Sequence, residues 1–100
     1  MNVAQTIFKQ LGGSRFTAMT GAKNFRGGHN HLTFDLPKTP HYVKNKSTCV
    51  QVTLNGQDLY DIEFWRIWGM NPRHIETVND VFVGDLQRTF TAKTGLDTHL

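Results

Sequence analysis

The sequence is poor in cysteine and has no long hydrophobic run, and each shortage excludes a class of protein. Its only cysteine, Cys49, rules out an intrachain disulfide and a four-cysteine zinc site. No apolar run reaches the roughly eighteen residues of a membrane-spanning helix, and the start MNVAQTIFKQ lacks the basic stretch and apolar core of a secretion signal. We therefore expect a soluble protein that stays in the cytoplasm.

The chain has 100 residues, 38% of them hydrophobic, which suits one domain over residues 1–100 with a single core. Its net charge of +3 is unevenly distributed. Residues 1–50 hold seven lysines and arginines against one aspartate, whereas residues 51–100 hold four against seven acidic residues. The basic half predicts contact with polyanions and the acidic half does not.

Apolar residues at helical spacing predict a helix near each end of the chain. In the first dozen positions the pattern stops at Gly12-Gly13, which predicts a helix over residues 2–11. A second helix is predicted over residues 79–94, where apolar residues lie four apart and Gly95 follows as a stop signal.

Between these helices, alternation of apolar and polar residues predicts strands. Two half-buried strands are predicted over residues 15–20 and 31–36, joined by the glycine-rich stretch TGAKNFRGGHNH. The next stretch, residues 37–47, contains two prolines and three lysines and is predicted to be an exposed connection.

The segment CVQVTLNGQDLYDIEFWRIWG carries the strongest hairpin signal. A three-residue loop, Leu54-Asn55-Gly56, is predicted because it keeps Tyr60 and the apolar residues after it on the core side of the sheet. A brief edge strand is predicted over residues 74–78. The order of elements predicts an α+β fold, an antiparallel β-meander of four to five strands with an N-terminal and a C-terminal helix packed on one face.

The chemistry-bearing motifs favour a non-enzymatic protein without a cofactor. TGAKNFRGGHNH lacks the Gly-Lys-Ser/Thr end of a phosphate-binding loop. His29 and His31, two apart on a strand, could share a metal ion. The possible further donors, His41, Asp35, His74 and His99, stand at no spacing that places them nearby, so two surface histidines are the plainer interpretation. A metal-dependent enzyme built on this pair is the third-ranked hypothesis. Asp61 and Glu63 are interpreted as a solvated strand face, since no nucleophile accompanies them.

Polyanion contact is the leading functional hypothesis. Cations flank the glycine-rich stretch and fill the connection after it, with the rings of Phe25 and Tyr42 among them, so phosphates could be neutralised while bases stack. The simpler alternative is that these lysines keep loops solvated and the rings cover the core edge. The candidate nucleic-acid contacts are Arg15, Lys23, Arg26, Lys44, Lys46 and Tyr42.

The run Phe64-Trp65-Arg66-Ile67-Trp68 has apolar residues on both faces of a strand, so one face retains an apolar surplus. Trp65 and Ile67 are therefore predicted to form a partner or self-association patch, unless a helix or loop covers them. The second hypothesis follows from this patch: an assembly factor, or a protein-directed inhibitor of a host complex, such as an anti-defence protein.

Three segments, QTIFKQLGGSRFTAMTGAKNF, TLNGQDLYDIEF and VFVGDLQRTFTAKTGL, carry a resemblance that covers most of the chain. With them the sequence resembles a group of small uncharacterised proteins carried by bacteriophages and other bacterial mobile elements. The resemblance implies an accessory role in a bacterial cytoplasm. It transfers no catalytic residue.

Overall fold

The structure, a computed structural model, describes residues 2–37, 43–96 and 98. Its elements are the helices α1 (Val3–Leu11), α2 (Ser14–Thr20) and α3 (Leu86–Thr94), the strands β1 (Lys23–Gly27), β2 (His31–Asp35), β3 (Cys49–Leu54), β4 (Tyr60–Trp68) and β5 (Asn71–Val81), and a 3-10 turn at Val83–Asp85. No helix in these ranges is long and apolar enough to cross a membrane.

The five strands form one antiparallel sheet in the order β1-β2-β3-β4-β5. Each strand therefore pairs with its neighbours along the chain. The N-terminal helices and α3 pack on one face of this sheet, so the predicted α+β meander with helices on one face is confirmed. We call the opposite face, which no described helix covers, the outer face.

Along each strand, side chains point alternately to the core and to the outer face. Phe34 of β2 lies opposite Val50 of β3, which in turn lies opposite Phe64 of β4, and all three are fully buried beneath the helices. Phe16 of α2 and Phe90 of α3 close this layer with ring centroids 5.2 Å apart. Burial of these rings, with the aliphatic side chains around them, holds the helices to the sheet.

Helix α1 confirms the predicted N-terminal helix and its stop signal. The Asn2 side-chain oxygen accepts a hydrogen bond from the backbone N–H of Gln5 at 2.8 Å, which caps the first turn. At the other end Gly12 has φ 129°, in the region that favours glycine, and its N–H donates to the Lys9 carbonyl.

The prediction of a strand over residues 15–20 is wrong, because this segment is helix α2. Phe16, Ala18 and Thr20 fit an alternating pattern by residue type, but Ala18 is exposed and only Phe16 and Thr20, four apart, are buried. The Thr20 hydroxyl donates to the Phe16 carbonyl at 2.8 Å, a bond that satisfies it within the helix.

The stretch TGAKNFRGGHNH is not a mere connection, because its middle is strand β1. Phe25 packs edge-on against Phe8 of α1, with ring centroids 5.1 Å apart, and this contact holds the strand on the core. β1 pairs with β2, which confirms the strand predicted over residues 31–36. Only residues 28–30 form the turn between them.

The β3–β4 loop has five residues, 55–59, instead of the predicted three, so Val50 pairs with Phe64 and not with Tyr60. Asn55 explains the longer loop: its side-chain oxygen accepts from the backbone N–H groups of Gln57 (2.8 Å) and Leu59 (3.2 Å). The predicted and the observed loop both have an odd number of residues, which puts the same side chains on the same face. The prediction that Tyr60 and Phe64 face the core is therefore confirmed.

The second predicted helix begins seven residues too early. Strand β5 continues to Val81, which pairs with Tyr60, and the helix α3 starts only at Leu86. The edge strand predicted over residues 74–78 is confirmed and is longer, since the β4–β5 turn needs only residues 69 and 70. Gly95, at φ 77°, ends α3 as predicted.

The connection predicted as exposed over residues 37–47 is described only in part, because residues 38–42 lie outside the described residues. Its second part is not fully exposed: Val43 and Ser47 are buried. The Lys44 backbone N–H donates to the Thr94 carbonyl at 2.7 Å, which anchors this segment to the end of α3.

Candidate functional site

One row of residues crosses all five strands near one end of the sheet. Lys23, Asp35, Cys49, Trp65 and His74 are successive partners from β1 to β5. Partners in an antiparallel pair point to the same face, so Asp35, Cys49, Trp65 and His74 all lie on the outer face. This row marks the end at which β1, β3 and β5 begin.

Five cations lie at this end of the sheet, spread from β1 to β5. The group comprises Lys23, Lys44, Lys46, Arg66 and Arg73, and we call it the basic end. Lys44 and Lys46 belong to the segment before β3. This segment contacts β4 through the Thr48 backbone N–H, which donates to the Trp65 carbonyl at 2.8 Å. Within the described ranges, Lys23, Lys44, Lys46 and Arg73 make no ion pair.

Arg66 and Arg73 are direct partners across β4 and β5. Arg73 is exposed, whereas Arg66 is half-buried and makes an interaction of its own. The pairing places two guanidinium groups next to each other at the basic end.

Two further cations beside the basic end are neutralised by carboxylates. Arg26 bonds Asp35 at 3.1 Å and Lys93 bonds Glu76 at 3.3 Å. Burial by itself would raise the pKa of Asp35, but hydrogen bonds from Asn24 and Arg26 lower it below its usual range. Arg26 is thus held in a fixed position on the outer face and contributes little net charge.

The opposite end of the sheet is acidic. Asp58 lies in the β3–β4 loop, and the Asn55 side-chain amide donates to the carboxylates of Asp61 (3.2 Å) and Asp80 (3.0 Å). The two ends therefore differ in charge along the strand direction, with cations at one end and aspartates at the other.

The structure brings together some of the predicted nucleic-acid contacts and separates others. Lys23, Lys44 and Lys46 lie at the basic end, and Arg26 is beside it but paired with Asp35. Arg15 is not with them, since it lines a cleft on the helix side with Gly12 and Gln87. Tyr42 lies outside the described residues.

Sequence reasoning missed Arg66 and Arg73 because it counted charge by halves of the chain. Both residues belong to the acidic half, and the β4–β5 hairpin places them at the same end of the sheet as the start of β1 and β3. The signal available in the sequence was their position on either side of Gly69-Met70, since a tight turn sets such residues opposite each other.

Trp65 and Ile67 lie on the outer face as predicted, and no described helix covers them. Both are half-buried. The Trp65 ring meets the His74 ring edge-on with centroids 5.0 Å apart, and the Ile67 backbone N–H donates to the Thr48 hydroxyl at 2.9 Å. Met70, in the adjacent turn, is 95% exposed. This corner of the outer face combines apolar groups with neighbouring cations.

A recess of about 230 Å³ opens on the outer face at Cys49, the cross-strand partner of Trp65. It is lined by Arg26, Asp35, Thr48, Cys49 and Ile67. Burial raises the pKa of the Cys49 thiol, and the nearby Asp35 carboxylate raises it further, so the thiol stays protonated and weakly nucleophilic. The recess can bind a small polar group, but it holds no activated nucleophile.

The histidine pair is not arranged as the metal hypothesis requires. His29 lies in the turn before β2 and only His31 is in the strand, where its ring stands so close to Gly28 that a Cβ there would lie 2.1 Å from Cε1. In the part of the chain that the structure describes, no three histidine, cysteine or acidic side chains come together as a metal site.

Comparisons with protein-family models, with curated proteins and with solved structures found no match for this chain. The candidate site therefore rests on its own geometry.

Proposed function

We infer that this protein binds nucleic acid without catalysing a reaction, and that the basic end supplies the phosphate contacts. The observation that supports this function is the segregation of charge along the strands: cations lie at one end, of which Lys23, Lys44, Lys46 and Arg73 make no ion pair within the described ranges, and aspartates occupy the other. A polyanion gains at the basic end and is repelled at the acidic end, so the protein binds it in one orientation.

The energy of such binding comes mainly from release of the counterions condensed on the nucleic acid. Each phosphate neutralised by a lysine or arginine contributes about 0.7–0.9 to the slope of log K against log salt.

The test measures fluorescence anisotropy of labelled single- and double-stranded oligonucleotides across a salt series. Arg73→Ala and Lys46→Ala are each expected to weaken binding at low salt and to reduce the slope by about 0.7–0.9. Arg15→Ala, which also removes an exposed cation, is the matched control and should leave the slope unchanged. No binding at low salt, or an affinity indifferent to salt, would remove this function.

The resemblance to proteins of bacteriophages and mobile elements suggests where the binding takes place. In this proposal the protein is an accessory factor in the cytoplasm of a bacterial host, and its ligand is nucleic acid or a nucleoprotein complex formed during infection or transfer.

A protein partner is the second candidate, favoured by the apolar corner of the outer face. Trp65 and Ile67 are half-buried on this face, and Met70 in the adjacent turn is exposed. An assembly factor or an inhibitor of a host defence complex would use such a corner. Co-purification from host lysate with the native chain and with Trp65→Ala tests it; an identical set of partners for both argues against this candidate.

A further inference from the structure

We propose that the ligand of the basic end is single-stranded nucleic acid and that one of its bases stacks on Trp65 at the outer face. The proposal rests on the proposed function, since the basic end holds the strand by its phosphates. It adds the strandedness of the ligand and a second kind of contact, between a base and a ring.

Alternation in β4 and β5 provides the two kinds of contact at one place. Trp65 and its partner His74 point to the outer face, whereas the next pair, Arg66 and Arg73, points to the helix side. A nucleic-acid strand lying along this end of the sheet meets guanidinium groups on one side of the sheet edge and an indole ring on the other. In a nucleotide chain the phosphates and the bases likewise lie on different sides.

The recess at Cys49 favours an unpaired base. At about 230 Å³ it is smaller than the ~300–1,000 Å³ pockets that enclose drug-sized ligands, which suits one ring system. Its wall presents the Arg26 guanidinium, the Asp35 carboxylate and the Thr48 hydroxyl, which can donate to and accept from a base edge. Bases in a duplex are stacked and paired, so only a single strand or a flipped base reaches such a place.

Charge on the outer face limits where the strand lies. Asp61 and Glu63 occupy the same face nearer the acidic end and repel phosphates. Arg26, which reaches over β3 to within 3.6 Å of the Cys49 sulfur, neutralises the Asp35 carboxylate, so the row of Trp65 repels phosphates less than the acidic end does. The single-stranded nucleic acid is therefore expected to lie across the β-strands along the row of Trp65.

The experiment uses Trp68→Phe as the background, because Trp65 is then the only tryptophan and its fluorescence reports on stacking. Three probes are titrated at low salt: oligodeoxythymidine, a duplex of matched length, and heparin, a polyanion without bases. Affinities are read from the anisotropy of labelled probes, because the Trp65 variants of this background contain no tryptophan. On this scale Trp65→Ala and Trp65→Phe are compared with Phe82→Ala, which replaces a residue that is 63% exposed beyond the acidic end of β5.

Oligodeoxythymidine is expected to quench Trp65 and to bind more tightly than the duplex, and heparin to bind without quenching. Trp65→Ala should weaken oligodeoxythymidine binding about 5- to 150-fold, the cost of losing one base–aromatic stack, with heparin binding unchanged. Trp65→Phe, which keeps a ring, should retain most of the affinity, and Phe82→Ala all of it.

Two results would overturn the proposal in distinguishable ways. If all three probes bind but Trp65 is not quenched and Trp65→Phe and Trp65→Ala bind like the parent, the stacking inference is wrong while the proposed function stands, and the outer face is left to a protein partner. If none of the probes binds at low salt, the proposed function fails and the inference with it.

Discussion

The close approach of α1 to β1 gives a sharp test of the packing that supports the candidate site. A Cβ placed on Gly27 would lie 2.6 Å from the Cβ of Ala4, nearer than non-bonded carbons approach each other. We expect Gly27→Ala to lower the free energy of unfolding by about 1–3 kcal/mol, the usual cost of overpacking. Against a total of about 5–15 kcal/mol for a domain, this loss is easily measured.

Gly56→Ala is the matched control. No atom lies within 4 Å of a Cβ at this loop position, and its backbone is not in the left-handed region. This substitution is expected to leave stability unchanged or to raise it by up to about 1 kcal/mol, since alanine restricts the unfolded chain. Both variants are compared by urea unfolding, followed by tryptophan fluorescence, with the midpoint and the slope m recorded.

A double variant identifies Ala4 as the source of the clash. Ala4→Gly alone should cost about 1 kcal/mol, because glycine is a poor helix former. With Gly27→Ala it removes the overlapping methyl group, so the pair should lose at least about 1 kcal/mol less than the sum of the single losses. Strict additivity, or a Gly27→Ala variant as stable as Gly56→Ala, would refute the packing of α1 on β1.

Two further predictions concern polar groups at the two ends of the sheet. Asn55→Ala should lower the free energy of unfolding by about 1–3 kcal/mol, because the loop loses its internal acceptor and Asp61 and Asp80 lose their shared donor; unchanged unfolding in urea would contradict this. The lowered pKa of Asp35 means that its contribution is complete above the ordinary aspartate pKa of about 4 and is lost as pH falls through the depressed value. Asp35→Asn should therefore reduce the loss of stability below about pH 4, measured as urea midpoints against pH, whereas the same decline in both proteins would be evidence against it.

The parts of the fold that were predictable are those in which one period dominates. Strand β2 and the core side of β4 follow from simple alternation, and α1 from its spacing and its glycine stop. Helix α2 was wrongly predicted as a strand because the residue types of Phe16, Ala18 and Thr20 fit both the helical period and the strand period. Only tertiary contact, the packing of Phe16 on Phe34 and Phe90, shows which pair of these residues is buried.

The candidate site was less predictable than the fold because it depends on which residues pair across neighbouring strands. Lys23, Lys44 and Lys46 could be named from their loops, but Arg66 and Arg73 join them only when the β4–β5 turn is known to be short. The five-residue loop of Asn55 likewise depends on side-chain hydrogen bonds to Gln57 and Leu59, which residue type alone does not reveal.

The strand order has a consequence for how the chain folds. Every strand pairs with the one before it, so each hairpin closes a local segment at a small entropic cost. The contacts of α1 with α3 span nearly the whole chain; one is the bond from the Gln87 side chain to the Gln10 carbonyl at 3.0 Å. We expect the hairpins and the packing of α1 on β1 and β2 to form early, and the contacts of α1 with α3 to form last.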